Sequence, residues 1–491
     1  MSDRHVVIVG LDGLRPDTVE PGKAPNLARL MREGAAMESH IAAFPCETRV
    51  NLASLTTGCP PARHGIAANA YFVARGNALL PVDTGSLAHA RLLQSDRGIL
   101  LADTLADRLG RIGRRLAVIS TGSPGGFGLL TAGGQADTVA GFNARFAGAA
   151  LPGAFNAELA EKRAVDETAT DDVLTRTAVD AFLEDIWPTQ RPAATIIWLA
   201  ETDNAQHYRG GPGSPGALAA LANVDHELGR LLDWRDRAPE AGLIDIVVVS
   251  DHGHVTVDHD VDLLGVLSGA GIAAARTPDA DVDVVVTAGR APGVWGRNGD
   301  EKVLSRVLQV VAEQDWLALA FAPAENSESA RGALPGTLSH ALVGAGGPHI
   351  PPLQLVLSAS SSANGFGVPG VGPMEVGTSG LTAGSGMHGG LAAEEMRCLF
   401  VGHGTGFRSG MRSAAPSSTM DIAPTIWASL GLGVEPSFAG RTLHEILSGS
   451  SVEPPDVRTE EYEVQLNSHT SGFARNVADG RHYPQPLDSA G

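Results

Sequence analysis

Three short apolar runs rich in β-branched residues constrain the fold of this 491-residue chain more than any other feature. They span Val6–Leu11, Ala194–Ala200 and Ile244–Ser250, and each leads directly into acidic or histidine side chains. Continuous apolar runs of this length are typical of strands that are buried on both faces, as in parallel sheets. The sequence therefore predicts three buried parallel strands with polar residues at their carboxyl ends.

Helical patterns separate these strands. They occur at Ala24–Glu33, Thr168–Leu183 and Leu218–Leu232. Strands that alternate with helices favour a parallel sheet covered by helices on both faces. We therefore expect an α/β fold, a three-layer α/β/α sandwich with a mostly parallel central sheet. In such sheets ligand sites form outside the carboxyl ends of the strands, where the acidic residues of this chain lie.

Residues 259–379 differ from the rest of the chain and predict a smaller α+β insertion that caps the site. Its predicted strands and helix are Val282–Val286, Leu353–Leu357 and Asp300–Glu313. A main α/β domain, expected to carry the site, would then consist of residues 1–258 and 380–450, followed by a polar C-terminal extension at 451–491. The stretch Ser358–Gly386 is rich in Gly and Ser and predicts a mobile loop.

Charge and hydropathy argue against several classes of protein. The formal net charge of −19 disfavours a binder of nucleic-acid duplexes, because such binding relies on clustered Lys and Arg. A small phosphorylated substrate stays compatible, since bound dications can reverse the local field. No apolar run approaches the ~18 residues of a membrane-spanning helix, and the polar start before the first strand leaves no room for a secretory signal. The sequence favours a cytoplasmic protein and leaves the oligomeric state open, a homodimer included.

Six acidic and histidine residues are candidates for metal ligands. They are Asp12, Asp203, His207, Asp251, His252 and His388. Imidazole nitrogen and carboxylate oxygen suit zinc, and two ions roughly 3.5–4 Å apart can hold both the attacking and the leaving oxygen of an in-line displacement. A spacing of four residues places Asp203 and His207 on one side of a helical turn. The three cysteines have no CxxC spacing, which argues against a thiolate zinc site.

Thr48 is the candidate nucleophile. It follows the extended lead-in that ends at Pro45, and residues 48–57 have a helix-forming pattern. Thr48 is therefore expected near a helix N-terminus, where free N–H groups and the helix dipole favour anions. A threonine hydroxyl needs a base or a metal ion to act as a nucleophile at neutral pH.

The order of these motifs resembles the alkaline phosphatase superfamily. Within it, the chain is most similar to the nucleotide pyrophosphatase/phosphodiesterase branch and its neighbour, phosphonoacetate hydrolase. The motifs that carry the resemblance are Asp12, Thr48 with TTG and HGI after it, Asp203-x-x-x-His207, Asp251-His252-Gly253 and His388-Gly389. Each motif alone is weak, but their common order over most of the chain is specific.

The resemblance implies a site with two divalent metal ions, for which we expect zinc, with manganese or iron as alternatives. The implied ligands are Asp203, His207 and His388 for one ion, and Asp12, Thr48, Asp251 and His252 for the other. Thr48 would attack phosphorus to form a phospho-threonine intermediate that water then hydrolyses. Asn69, which lies 21 positions after Thr48, would contact a phosphoryl oxygen as a fixed donor.

The function that this resemblance implies is hydrolysis of a phosphodiester or pyrophosphate bond in a small substrate. The alternative is a phosphonate or phosphomonoester hydrolase on the same metal site. Two departures bear on the choice: Arg49-Val50 replaces the Phe-Pro or Asn-Pro of the relatives, and Ala117–Leu129 lacks the lysine pair of phosphonoacetate hydrolases. A phosphomutase and a non-catalytic metal-binding module are further alternatives.

Three more polar residues near the motifs have structural interpretations. His64 is expected to be structural, and His254 is expected to support the ligands indirectly or to face solvent, with a contact to substrate as the alternative. Asn51, one turn after Thr48, is expected on the helix surface or behind the site. Arg49 has two interpretations, a bidentate contact to a substrate oxyanion or a solvated side chain in the first helical turn.

Overall fold

An eight-stranded sheet forms the centre of the molecule. The computed structural model describes residues 3–487 apart from 77, 94–97, 136, 150, 167, 280, 327–328, 376, 378–379 and 467–468. Across the sheet the strand order is Arg412–Ser418, Ala35–Ile41, Phe400–His403, Ile244–Val249, His5–Leu11, Ala194–Leu199, Leu116–Ser120 and Val139–Asn143. All neighbouring strands run parallel except Phe400–His403, which is antiparallel to both neighbours. The prediction of a mostly parallel central sheet is confirmed.

The strand His5–Leu11 lies in the middle of this sheet and shows why the apolar runs are continuous. It pairs in parallel with Ala194–Leu199 on one side and with Ile244–Val249 on the other. Its side chains alternate between two separate cores, so that Val7 joins one core and Ile8 joins the other. Both faces of the strand are therefore buried, and neither face can carry polar residues.

Helices cover both faces of the sheet, as the α/β/α interpretation requires. Those on the first face are Pro25–Glu33, Ala154–Lys162, Asp171–Asp180 and Pro215–Arg237. Those on the second face are Thr48–Thr57, Leu105–Arg111, Pro124–Leu130 and Ile422–Ser429. The fold is thus the predicted three-layer sandwich.

A second sheet, of six strands, lies within residues 259–379. Its strand order is Ala274–Ala275, Val284–Val286, Gly293–Gly296, Leu353–Leu357, Leu317–Ala322 and Leu338–Ser339. The helices Leu263–Gly269 and Glu301–Val311 pack against it around a core of their own. This segment therefore contains both of the predicted strands and the predicted helix.

The prediction of a mobile loop at Ser358–Gly386 is wrong for much of its length. The structure contains strands at Ser360–Ala363 and Pro369–Glu375, and the second of them pairs in parallel with Val255–Val261. Inter-strand hydrogen bonds override the weak strand propensity of a Gly- and Ser-rich stretch. Residues 376, 378 and 379 of the predicted loop lie outside the described residues.

The C-terminal extension forms a small antiparallel sheet. Its three strands are Val457–Leu466, His469–Ala478 and Arg481–Pro484. Tyr483 is fully buried in a core cluster that also contains residues of the six-stranded sheet.

Among the described helices, none combines the length and the apolar character that crossing a bilayer would require.

Candidate metal centre and phosphoryl site

The candidate ligands lie together at the carboxyl edge of the central sheet. Asp12 directly follows the strand His5–Leu11. The helix Glu201–Tyr208 begins two residues after its strand ends and carries Asp203 and His207 one turn apart. Parallel strands end at the same edge, so residues that are far apart in sequence converge there.

Asp203 is the meeting point of the first group. Its Oδ1 lies 3.3 Å from His207 Nε2 and 3.8 Å from His388 Nε2. His388 comes from the segment just after the short strand Gly386–Met387, and its side chain is buried. The three residues that the resemblance assigned to one ion are therefore within reach of a single cation.

His252 is the meeting point of the second group. Its Nε2 lies 3.1 Å from Thr48 Oγ1, and both Asp12 Oδ1 and Asp251 Oδ2 lie close to the same nitrogen, at 3.5 Å and 3.4 Å. These four residues are buried. Thr48 is the first residue of the helix Thr48–Thr57, as predicted. The nucleophile candidate thus faces the second group from a helix N-terminus.

The distances in both groups fit shared cations. Two ligand atoms on one tetrahedral zinc ion lie roughly 3.3 Å apart when the bonds have their usual length, close to most of the separations above. Among the described residues, Asp12 Oδ1, Asp203 Oδ1 and Asp251 Oδ2 are buried and accept no hydrogen bond. Buried carboxylate oxygens are normally paired, so three of them facing one space fit metal ligation.

The pKa values of the three carboxyl groups also support metal binding at this site. Burial raises the pKa of Asp12 well above its usual range, and the charges of Asp251 and Asp203 raise it further. Burial also raises the pKa of Asp251 to about 7. Burial opposes ionisation of Asp203 as well, but His207 holds its pKa well below the usual range. Such a cluster of acids ionises readily only when additional positive charge is present.

Hydrogen bonds behind the ligands fix their orientation. Trp198 Nε1 donates to Asp12 Oδ2 at 2.9 Å, and the backbone N–H of Gly13 donates to Asp251 Oδ1 at 3.1 Å. His207 Nδ1 donates to the carbonyl of Gly386 at 2.7 Å. His388 Nδ1 likewise donates to the carbonyl of Cys46 at 2.9 Å. In each case the second oxygen of the carboxylate, or the second nitrogen of the imidazole, faces the candidate cation.

Asn69 and Arg49 are coupled beside the nucleophile. The backbone N–H of Arg49 donates to Asn69 Oδ1 at 3.0 Å. The amide oxygen is therefore occupied, and the amide N–H groups remain for the cavity that both residues line. The Arg49 side chain lines the same cavity, and its buried Nε has no hydrogen-bond partner in the described part of the chain.

The three residues with structural interpretations have different outcomes. His64 is buried and hydrogen-bonded to Ser54 Oγ at 3.0 Å, away from the ligands, in agreement with a structural role. Asn51 is fully buried, which excludes the helix surface and agrees with the other expectation, a position behind the site. Its Oδ1 accepts from the backbone N–H of Ala43 at 2.7 Å and from Thr419 Oγ1 at 2.8 Å, which braces the helix that carries Thr48.

His254 is the main correction among them. Its side chain is fully buried, so the expectation that it faces solvent is wrong. Its Nε2 lies 3.1 Å from Asp203 Oδ1, and His254 belongs with Asp203, His207 and His388 to one group that could hold a metal ion. The pattern Asp-His-Gly-His at 251–254 was the available signal, because it places a second histidine two residues after the first.

A cavity of about 760 Å³ opens onto these groups. The residues of its outer wall come from segments without a catalytic motif, so no pattern in the sequence indicates them. They include Arg145, Phe146, Tyr208, Trp295, Gln354 and Glu375. Three stretches from residues 259–379 contribute to this wall, at 287–295, 351–354 and 374–377, so this part of the chain covers part of the site.

Solved structures with similar folds include hydrolases of two kinds. Human ectonucleotide pyrophosphatase/phosphodiesterase 5 aligns at 16% identity with a TM-score of 0.63, covering 91% of this chain and 100% of that one. An inactive form of the murine protein in complex with AMP aligns at 18% identity with a TM-score of 0.61 and the same coverage. Phosphonoacetate hydrolase from Sinorhizobium meliloti 1021, in complex with phosphonoformate, aligns at 16% identity with a TM-score of 0.61, covering 88% of this chain and 96% of that one.

The amino-acid sequence also matches the model of a protein family. The model for type I phosphodiesterase / nucleotide pyrophosphatase matches residues 6–363, which include Asp12, Thr48, Asp203 and His252. This match confirms the branch that the order of motifs indicated. The chain belongs to the type I phosphodiesterase / nucleotide pyrophosphatase family, a family of phosphoester hydrolases.

Proposed function

We propose that this protein hydrolyses phosphodiester or pyrophosphate bonds, with Thr48 as the nucleophile and two divalent metal ions, zinc being the expected metal. One observation carries the proposal: Thr48 Oγ1 lies 3.1 Å from His252 Nε2, beside two buried carboxylates and at the wall of the large cavity. This arrangement supports a hydroxyl that is activated by a metal ion and open to substrate.

Seven residues would hold the two ions. They are Asp203, His207 and His388 for one, and Asp12, Asp251, His252 and Thr48 for the other. Bound there, the ions would lower the pKa of the nucleophile and neutralise charge on the phosphoryl oxygens. The unpaired carboxylate oxygens of Asp12, Asp203 and Asp251 support this assignment.

The chain's own groups account for the other requirements of the reaction. Thr48 Oγ1 forms a bond to phosphorus, the bond from phosphorus to the leaving oxygen breaks, and the leaving group takes a proton. Water then breaks the bond between phosphorus and Thr48 Oγ1 and restores the hydroxyl. The Asn69 amide would donate to a phosphoryl oxygen as charge develops, because its own oxygen is already held by the Arg49 N–H.

The outer cavity favours a substrate with a sizeable leaving group. Its wall combines aromatic side chains with polar ones, and Tyr208 and Phe146 are exposed at 66% and 41%. A bare phosphomonoester of a small alcohol would leave most of 760 Å³ unfilled. The size of the cavity therefore supports a diester or a pyrophosphate whose second substituent packs against this wall.

A phosphomonoester or phosphonate substrate is the second candidate, and Arg49 is the observation that favours it. A terminal phosphoryl group carries more charge than a diester, and Arg49 offers a cationic side chain directly after Thr48. Phosphonoacetate would also need a cation for its carboxylate. The stretch Ala117–Leu129, where the resemblance to phosphonoacetate hydrolases would place the lysines, contributes only uncharged residues to the cavity wall, Thr121 and Ser123 among them.

The deciding experiment compares bis-p-nitrophenyl phosphate, p-nitrophenyl phosphate and phosphonoacetate, each with metal-replete and with chelator-treated protein. We expect chelator-sensitive hydrolysis that is fastest on the diester. A clear preference for the monoester or for phosphonoacetate would favour the second candidate. Two bound metal ions without activity on any substrate would contradict both.

Substitution of Thr48 tests the nucleophile. Thr48→Ala should remove most turnover while the protein keeps about two metal ions, because the Asp and His ligands remain. The matched control is Thr177→Ala, which changes a threonine of the helix Asp171–Asp180, outside the cavity. Full activity of Thr48→Ala would refute the assignment.

A further inference from the structure

His254 is held in the same way as two neighbouring histidines, His207 and His388. Its Nδ1 contacts the carbonyl oxygen of Gly13 at 3.1 Å, as the Nδ1 atoms of His207 and His388 contact carbonyl oxygens of Gly386 and Cys46. A carbonyl only accepts, so each Nδ1 carries the proton. Each Nε2 is then the free ring nitrogen, and all three point towards one carboxylate oxygen.

That oxygen is Asp203 Oδ1. The three Nε2 atoms lie 3.1 Å from it for His254, 3.3 Å for His207 and 3.8 Å for His388. Neither His254 Nε2 nor Asp203 Oδ1 forms a hydrogen bond among the described residues, although both are buried. The lone pairs of the three Nε2 atoms and of the carboxylate oxygen would repel one another in direct contact. A cation bound between these four atoms explains their arrangement better.

We propose that His254 is a fourth protein ligand of the ion held by Asp203, His207 and His388, an inference that rests on the metal centre of the proposed function. That ion would have one oxygen and three nitrogen ligands. The ion at Thr48 and His252 would also have four protein ligands, but one of them is the hydroxyl of Thr48, which would itself react with the substrate.

Two glycines leave the space that the imidazole ring of His254 occupies. Gly13 has a φ of +66°, and a Cβ built on it would lie 2.4 Å from His254 Cε1. On the other side, a Cβ at Gly386 would lie 3.0 Å from His254 Cδ2. Two glycines therefore flank the imidazole, and its Nε2 has little freedom to turn away from Asp203.

The two metal positions also differ in their donors. The Asp203 position would have three imidazoles, and the Thr48 position would have only His252 besides oxygen ligands. Nitrogen-rich sites hold Zn²⁺ and Co²⁺ more tightly than oxygen-rich sites do. Titration of metal-free protein with Co²⁺ should therefore fill the Asp203 position first.

Proton NMR of the Co²⁺-loaded protein tests the proposal directly. A Co²⁺-bound imidazole that keeps a proton on Nδ1 gives a strongly shifted, exchangeable N–H signal. Four such signals are expected in the wild-type protein, from His207, His252, His254 and His388. Three signals at full loading would overturn the proposal, because His254 would then only pair with Asp203. Failure to bind Co²⁺ at all would instead refute the metal centre of the proposed function.

A substitution gives an independent measurement. His254→Leu removes the ring nitrogens and leaves no atom that can bind a metal ion, and His226→Leu is the matched control because His226 is exposed on the helix Pro215–Arg237. Loss of one ligand should weaken the tighter Zn²⁺ site by more than the roughly 10–100-fold that residues behind the ligands contribute. An unchanged affinity in a folded variant would contradict direct ligation.

Discussion

Removal of the Asn69 amide is the sharpest test of how the site stabilises a phosphoryl group. Asn69 Oδ1 accepts from the Arg49 N–H at 3.0 Å, which leaves the N–H groups of the amide available to a substrate in the cavity that Asn69 lines. A donor that acts on developing oxyanion charge contributes about 10²–10³ in kcat. Asn69→Ala also removes one hydrogen bond to a half-buried backbone group, which costs about 1 kcal/mol of stability.

The assay separates these two effects. We expect kcat on the preferred substrate to fall on the order of 10²–10³-fold with little change in KM, while the melting temperature falls by only a few degrees. Asn69→Asp should be at least as impaired, because a carboxylate would face an anionic group. A loss of less than about threefold, or a loss confined to KM, would refute a role in the transition state.

Two further predictions concern charge. Arg49→Ala should lower kcat/KM for p-nitrophenyl phosphate by roughly tenfold and lower it less for the diester, which carries one charge fewer; equal losses would show that Arg49 does not discriminate. In chelator-treated protein, the pKa of Asp12 and of His207 is raised and that of Asp251 is raised to about 7. A group whose pKa is raised in the folded state holds its proton more tightly there than in the unfolded chain, so stability should decline as the pH rises through the range around 7. A melting temperature that rises over this range without metal would contradict the reasoning, and added zinc should flatten the decline.

The sequence predicted the central fold because its signals are local. Runs such as Val6–Leu11 are apolar without interruption since both faces of the strand are buried, and the structure confirms them within a residue. The Gly- and Ser-rich stretch Ser358–Gly386 has no such local signal. Its strand Pro369–Glu375 depends on pairing with Val255–Val261, a contact that is invisible until the chain has folded.

The site residues that could be predicted are likewise those with a local sequence signal, and the others depend on tertiary contacts. Asp203 and His207 are four apart on a helix, and Asp251 and His252 follow a strand, so local geometry was enough to group them. The structure brings these residues together with His388, but their role as ligands stays a prediction. Trp198, Gln354 and Glu375 approach the site only through tertiary packing, and no spacing in the sequence indicates them.

The anchoring of the imidazoles explains why the site depends on the whole fold. The carbonyls that fix His207, His254 and His388 belong to Gly386, Gly13 and Cys46, which lie on three separate segments of the chain. Each Nε2 is aimed only when its own segment is in place, so an unfolded chain cannot present the same ligands together. Metal ions that bind the folded state alone stabilise it by about 4 kcal/mol at a thousand times their Kd. Binding of the ions and docking of these three segments should therefore be one cooperative event.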